Sequence, residues 1–516
     1  MIHIQCDKIK KRLKLICKDA AIYSKIITDH STPNPACRFS DYASPEVSIF
    51  SLLGSFQSGH LINFIAYIRK TFPDIKLTLS DEAKSKYLKN GFDVPEILVQ
   101  PKPFNLRPLQ EEAVKKAMKF GFGNFDLCTS FGKSASQNAL IANIWETTGE
   151  RKQALIVVPN VQLVTQFYND ILEYGNFTED DVCMFSGSVK NPSTDKKIII
   201  SNTQYIQKHF DKMPQVELLL IDEIHTTCAK GSKLYDAVCK QKIFDTPHIW
   251  GFSGTFPEDK IKMWGITGLV GPMMMSIKAH ELQATGDVAM TVLKSFRIVH
   301  NKEQPVDMTL ECPLERAKSK YPLEYKEIED CLASNIVIVD HAFNAERNSF
   351  ILFDHTIHGQ NLMEIAEAIN DELPEQQKKQ LFYIDGSINI KYRDDMKKIF
   401  EDNNNCIVIG NKKCIGTGLS IKNVSNILFA FTSGSSVAGT IQTIGRSLRV
   451  REDKDTAYIF DFYHDYQYSS AHYLKRIKHY KNNYRQVPEE YDIHMKENGK
   501  YKCFLRPVDI RTNKRN

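Results

Sequence analysis

The 516-residue chain reads as an α/β protein: two tandem doubly wound parallel-sheet domains, a small α/β domain ahead of them and a short C-terminal extension. Two stretches of sequence and the length predict this. From about Asn124 to Thr255, short apolar runs ("DLCTS", "ALIVVP", "VCMFSG", "KIIIS", "ELLLIDE", "HIWGFSGT") alternate with amphipathic segments such as Val161–Tyr174, which Pro159-Asn160 introduces. The same rhythm returns after about Asn348 in "SFILFDH", "LFYIDGS", "CIVIGN", "SNILFAFT" and "TAYIFDF". Short continuous apolar runs bounded by polar turns are what strands buried on both faces of a parallel sheet produce. The length itself is too great for a single core.

The remaining segments follow from these two blocks. Residues 1–98 form a leader with its own mixed pattern, and 99–275 hold the first sheet. Residues 276–347 are expected to connect the sheets, with a helix-like "LEYKEIEDCLASNIVIVDHAF"; 348–465 hold the second sheet. Residues 466–516 are a basic, tyrosine-rich extension, as in "YLKRIKHYKNNYRQ". That stretch reads either as an amphipathic helix packed on the second domain or as a surface that binds phosphates and stacks bases.

Composition excludes several classes. Hydrophobic content of 42% and charged content of 25% are globular values. The formal charge of +5 is small for this length, so a nucleic-acid surface must be a local patch. Twelve cysteines contain no C-x-x-C pair and no metal-ligand spacing, which predicts free thiols in a reducing compartment. "MIHIQCDKIKKRLK" is charged where a signal peptide is apolar, and "GITGLVGPMMMSI" is too short to span a bilayer. A cytoplasmic protein without a membrane partner is expected.

The chemistry starts at "DLCTSFGKSAS", Asp126–Ser136. It ends like a phosphate-binding loop but begins differently: Leu127 stands where the full pattern has glycine, and bulky Phe131 lies in the loop. A strand predicted over Asn124–Cys128 leads into it, and a helix is expected from Ser134. In that setting the backbone N–H groups of the loop, Thr129 to Gly132, can wrap phosphate oxygens. Lys133 would reach the β- and γ-phosphates, and the Ser134 hydroxyl would ligate Mg²⁺. Further on, "ELLLIDEIH" is an apolar strand ending in Asp222-Glu223. Asp222 is placed to hold the metal and Glu223 to orient and deprotonate a water. Gln442, Arg446 and Arg449 belong to "QTIGRSLR". The two arginines are three apart, so they share a helix face that can meet a γ-phosphate or simply make surface ion pairs.

These motifs in this order resemble the superfamily 2 helicases, whose motor is two RecA-like domains with ATP bound between them. The resemblance extends over about 350 residues and implies roles for other segments. "LRPLQEEA" resembles the adenine-reading segment, with Arg107 and with Gln110 as base contact. "VVPNVQLVTQF", with Pro159 and Gln162, resembles motif Ia, and "SNTQYI", with Thr203 and Gln204, resembles a motif that grips nucleic-acid backbone. "FSGTF" resembles motif III, usually S-A-T, which couples hydrolysis to strand contact. "ILFDHTIHGQNL", with His355, resembles motif IV, and "GTGLSI", with Thr417 and Gly418, motif V. In such proteins His225 couples the carboxylates to the "QTIGRSLR" segment; as a strand-end histidine it would be satisfied locally.

"DEIH", "SGT", "HTIHG" and "QTIGRSLR" together look most like the phage UvsW-type recombination helicases, relatives of RecG-like and XPB-like DNA remodellers. That likeness implies an ATP- and Mg²⁺-dependent DNA helicase, a monomeric motor on single-stranded and branched DNA such as forks, Holliday junctions and R-loops. It also implies a DNA-binding accessory role for residues 1–98. Two readings compete: a double-strand DNA translocase or RNA helicase with the same engine, and a binding scaffold that does not hydrolyse ATP.

Overall fold

In the computed structural model, the apolar runs of the first half form one seven-stranded sheet, parallel throughout. Its strands lie in the order Met273–Ile277, Phe122–Leu127, His248–Ser253, Leu218–Ile221, Ala154–Val158, Ile198–Asn202, Val182–Phe185. The central strands Ala154–Val158 and Leu218–Ile221 are buried at every position, which is why they read as continuous apolar runs. The structure describes residues 1–7, 12–38, 44–88, 91–96, 98–187, 193–227, 246–300, 305, 309, 312–412, 414, 423–431, 445, 455–495 and 501–506. The chain divides into two compact units, Met1–Ile277 and Lys278–Asn516.

The strand before the loop spans Phe122–Leu127, two residues earlier than expected, and the following helix, Lys133–Thr148, starts one residue earlier. That helix shows no amphipathic stripe because it is enclosed on all sides: everything from Ala135 to Trp145 is buried. The helix Pro108–Phe120 has proline at its first turn and ends on Gly121 at φ +70°, the left-handed stop that glycine adopts without a Cβ clash.

The leader forms a four-stranded mixed sheet, in the order Ser55–Gln57, Arg12–Cys17, Ile2–Cys6, Leu77–Leu79. Ile2, Ile4, Leu13 and Leu15 face a core completed by Ile26, Phe56, Phe64 and Ile68. This sheet lies against the helix Lys260–Val270 of the same unit. A Cβ on Gly59 would come within 2.1 Å of the Thr267 carbonyl, and one on Gly268 within 2.0 Å of Gln57 Oε1. Only glycine permits that approach.

The second unit holds an eight-stranded sheet among the described residues, in the order Gln380–Ile384, Cys406–Asn411, Ser349–Phe353, Asn426–Phe429, Thr456–His464, Met290–Val299, Glu489–Met495, Tyr501–Leu505. All neighbours are parallel except the last pair. Two segments differ from expectation. Residues 276–347 are more than a connection, since Met290–Val299 is an interior strand of the second sheet. Its burial largely alternates along the chain, so it lacks the continuous apolar run that marks its neighbours. The C-terminal extension likewise supplies the last two strands.

The basic stretch "YLKRIKHYKNNYR" lies in the helix Gln467–Tyr484, which packs on this sheet. Tyr473, Tyr480 and Tyr484 are buried and do not offer rings for base stacking. Arg476 is buried against Asp461 at 2.8 Å, and the Tyr480 hydroxyl donates to the same carboxylate at 2.7 Å. Among the described residues no helix is long and apolar enough to cross a membrane, and no three His, Cys, Asp or Glu side chains form a metal-holding group. The described cysteines are free thiols.

Candidate nucleotide site

Sheet order decides how the motifs meet. The strand His248–Ser253 lies between Phe122–Leu127, which feeds the loop, and Leu218–Ile221, which ends in Asp222-Glu223. All three present their carboxyl ends on one edge, so the loop, Ser253 and the carboxylates converge there.

The unusual loop has a physical account. The Phe131 side chain is wholly buried, so it belongs to the core and not to the loop's mouth. Ser130 and Gly132 carry φ of +69° and +89°. Left-handed residues are a feature of anion-binding backbone nests, and within this turn the Phe131 N–H itself donates to the Cys128 carbonyl at 3.1 Å. Gly132 is required twice over: its φ is positive, and a Cβ would lie 2.3 Å from Gln110 Nε2. Arg107 and Gln110 brace the loop from behind. The Arg107 guanidinium donates to the Ser130 carbonyl at 3.0 Å and also to that of Phe131. Gln110 Nε2 donates to Phe131 O at 2.7 Å, and its Oε1 accepts from the Arg107 N–H at 2.8 Å. Both ends of the Gln110 amide are therefore engaged with protein.

Lys133 Nζ lies 3.5 Å from Glu223 Oε1 and 3.5 Å from the Leu127 carbonyl. Asp222 accepts from Gln137 Nε2 at 3.2 Å. Glu223, at φ +44°, accepts from the Ser253 hydroxyl at 3.1 Å. His225 Nδ1 lies 2.6 Å from that hydroxyl and 3.4 Å from Glu223 Oε2, while its Nε2 lies 3.2 Å from Thr255 Oγ1. His225 is thus satisfied locally, by the "SGT" motif. The glycine in that motif has a reason: a Cβ on Gly254 would lie 3.0 Å from the Leu127 carbonyl.

Electrostatics follow from burial and pairing. Burial, and then the Glu223 charge, push the Asp222 carboxyl up to about 7. Burial pushes Glu223 the same way, but Lys133, His225 and Ser253 outweigh it and hold its pKa below the ordinary value. Burial also favours neutral Lys133, and the two carboxylates overcome it, keeping the ammonium charged. Burial lowers His225, against the pull of Glu223.

The donor set suits a nucleoside triphosphate with a divalent metal. A lysine, a left-handed loop, two adjacent carboxylates and a hydroxyl share one sheet edge. Thr129 Oγ1 is buried there without a hydrogen-bond partner. Ser134, expected as a metal ligand, has its hydroxyl 3.0 Å from that of Tyr174.

The expected grip residues of this unit sit further along the same edge. Val158 and Asn202 pair across neighbouring strands, and beyond them the Thr203 hydroxyl donates to Pro159 O at 3.1 Å. Gln162 and Gln204 are exposed beside them. In the second unit His355 is exposed, with Nδ1 3.1 Å from Glu329 Oε2. Gln442, Arg446, Arg449, Thr417 and Gly418 lie outside the described residues. Sequence reasoning did not single out Gln137, Ser253 or Tyr174. Ser253 carried a signal, since it stands in the "SGT" motif; the other two carried none.

Comparison with known proteins gives the geometry its family. The profile "Type III restriction enzyme, res subunit" matches residues 103–258, and "Helicase conserved C-terminal domain" matches 332–451. The chain is 24% identical over 400 residues to the ATP-dependent DNA helicase uvsW of Enterobacteria phage T4, covering 76% of this chain and 75% of that protein. It is 25% identical over 232 residues to the DNA 3'-5' translocase XPB2 of Sulfurisphaera tokodaii, 43% of this chain and about half of that one. Its fold matches a putative HsdR subunit of a type I restriction enzyme from Vibrio vulnificus at TM-score 0.55 and 16% identity, covering 82% of this chain and 73% of the other. A loop-bearing sheet under the restriction-enzyme profile, a second parallel sheet under the helicase profile, in that order along the chain, and the likeness to the phage helicase make this protein an ATP-dependent helicase of superfamily 2.

Proposed function

We propose that this helicase is a DNA motor that unwinds, migrates or anneals branched DNA, such as forks, four-way junctions and R-loops. The observation that supports the motor reading best is the convergence of Lys133, Asp222 and Glu223 on one sheet edge beside a left-handed loop. The DNA track is supported by likeness to a phage protein named as an ATP-dependent DNA helicase.

In this reading the loop amides, Lys133 and Thr129 hold the phosphates of ATP, and Ser134 and Asp222 hold Mg²⁺. The bound metal would draw charge from the phosphates and make the terminal one a better target. Glu223 orients the attacking water and takes its proton; its low pKa keeps it ionised for that task. Ser253 and His225 fix the rotamer of Glu223. Arg107 and Gln110 hold the loop carbonyls, and Gln110 would exchange one of its protein contacts to read the base. Arg446, Arg449 and Gln442 keep the roles that the resemblance implies, positive charge from the two arginines and a hydrogen bond from the neutral glutamine. Pro159, Gln162, Thr203 and Gln204 grip the DNA backbone in the first unit, and His355, Thr417 and Gly418 in the second. Backbone grip carries no sequence preference, which suits a motor that travels.

The test is ATP hydrolysis with no polynucleotide, single-stranded DNA, a four-way DNA junction, or RNA. Mg²⁺-dependent hydrolysis should rise most with branched or single-stranded DNA. It should fall about a hundredfold or more in Glu223→Gln, as when one preorganised catalytic group is removed. Stimulation by RNA alone would move the track to RNA, and hydrolysis unchanged in Glu223→Gln would remove the assigned base.

A further inference from the structure

Tyr174 lies 40 residues from Ser134 in sequence, outside every motif considered above. It caps the helix Val161–Glu173, and its surroundings tie that helix end to both halves of the nucleotide site. Its carbonyl accepts from the Lys102 N–H at 2.9 Å. Its ring meets Phe104 edge to face at 5.6 Å, just ahead of the Arg107–Gln110 brace. Two residues on, Asn176 donates to Asn138 Oδ1, in the helix that starts at Lys133, at 2.8 Å. The tyrosine hydroxyl sits 3.0 Å from the Ser134 hydroxyl. The other end of the helix begins at Val161, with Gln162 exposed in its first turn. Thirteen residues of helix span about 20 Å.

We propose that Tyr174 is a positioning residue: its hydroxyl engages Ser134 and must release it when Ser134 turns to a metal. The inference rests on the reading of Ser134 as a metal ligand. It adds a competition: the Ser134–Tyr174 hydrogen bond stabilises only the state without metal, so removing it favours metal-dependent binding.

The experiment compares wild type with Tyr174→Phe, which keeps the ring against Phe104 and deletes only the hydroxyl. Binding of a fluorescent N-methylanthraniloyl ADP is titrated in Mg²⁺ and again in EDTA. Loss of one neutral hydrogen bond from the competing state should tighten the Mg²⁺-dependent Kd about fivefold. The Kd in EDTA should not change, because Ser134 is then not called away from Tyr174. An unchanged Kd in Mg²⁺, a weaker one, or an equal change in both conditions overturns the assignment of Tyr174. Those outcomes leave the parent reading standing so long as wild type binds more tightly in Mg²⁺ than in EDTA. If wild type shows no such Mg²⁺ dependence, the Ser134 reading falls, and the role of Tyr174 with it.

Discussion

The carboxyl edge of the first sheet and that of the second end in charged residues on the same kind of parallel strands, but they treat charge differently. At the first edge Lys133 stands 3.5 Å from Glu223, and a loop and a carboxylate are held in left-handed backbone. Burial and the Glu223 charge there push the Asp222 carboxyl up to about 7. At the second edge Lys412 meets Asp354 at 2.6 Å with side chains 12% and 9% exposed, and the Tyr325 hydroxyl donates to the same carboxylate at 3.0 Å. The left-handed non-glycine residues described in the second unit, Arg347 and Arg485, lie away from that edge. Charge at the first edge is loosely paired beside a left-handed loop, an arrangement that suits a ligand. Charge at the second edge around Asp354 is closed on itself, and closed charge holds structure together.

Substitutions at the two edges should therefore be read by different instruments. The largest effect on stability is expected for Lys412→Met, which leaves Asp354 buried without its cation. Denaturant unfolding of this variant should show a loss of about 3–5 kcal/mol. A loss under about 1 kcal/mol would mean that the second edge is no more locked than the first.

Acid should also act on the second edge. His358, one turn beyond the strand Ser349–Phe353, is buried, with Nε2 3.0 Å from Asn335 Oδ1. Burial lowers its pKa to about 4 from the ordinary 6.5. Between those values the unfolded chain binds the proton more readily. The contribution of the neutral imidazole is thus complete above 6.5 and lost as pH falls through 4. Unfolding at pH 5 should show a loss of about 2 kcal/mol relative to pH 7.5 from this group. His358→Gln should have a shallower pH dependence, and an identical slope in both proteins would exclude His358 as the source.

The smallest stability effect is expected at the first edge. Glu223→Gln should unfold within about 1 kcal/mol of wild type, although its hydrolysis is lost. A larger destabilisation would show that the Lys133–Glu223 pair supports the fold as the Lys412–Asp354 pair does.

Much of the fold was legible because local pattern carries it. Strands such as Ala154–Val158 and Cys406–Asn411 are buried on both faces and announce themselves as unbroken apolar runs. The strand Met290–Val299 was missed because its burial largely alternates, and so was Glu489–Met495, which pairs with it from almost 200 residues away. Likewise Gly132, Lys133, Ser134 and the Asp222-Glu223 step could be picked out as a candidate nucleotide site, since each depends on spacing within one turn. Phe131 could not be placed by spacing, because what removes it from the loop is a core that its own neighbours do not supply.

By itself the sequence determined two parallel-sheet domains, through apolar runs a few residues long, and the local Gly132-Lys133-Ser134 and Asp222-Glu223 steps. Only the tertiary structure decided what stands between and behind them. Sheet order inserts Ser253 beside Glu223, the helix Val161–Glu173 brings Tyr174 to Ser134, and parallel pairing lays Asp354 next to Lys412. Parallel strands need long crossovers, so residues that meet at a sheet edge are separated by whole helices, and no local pattern records which of them will touch.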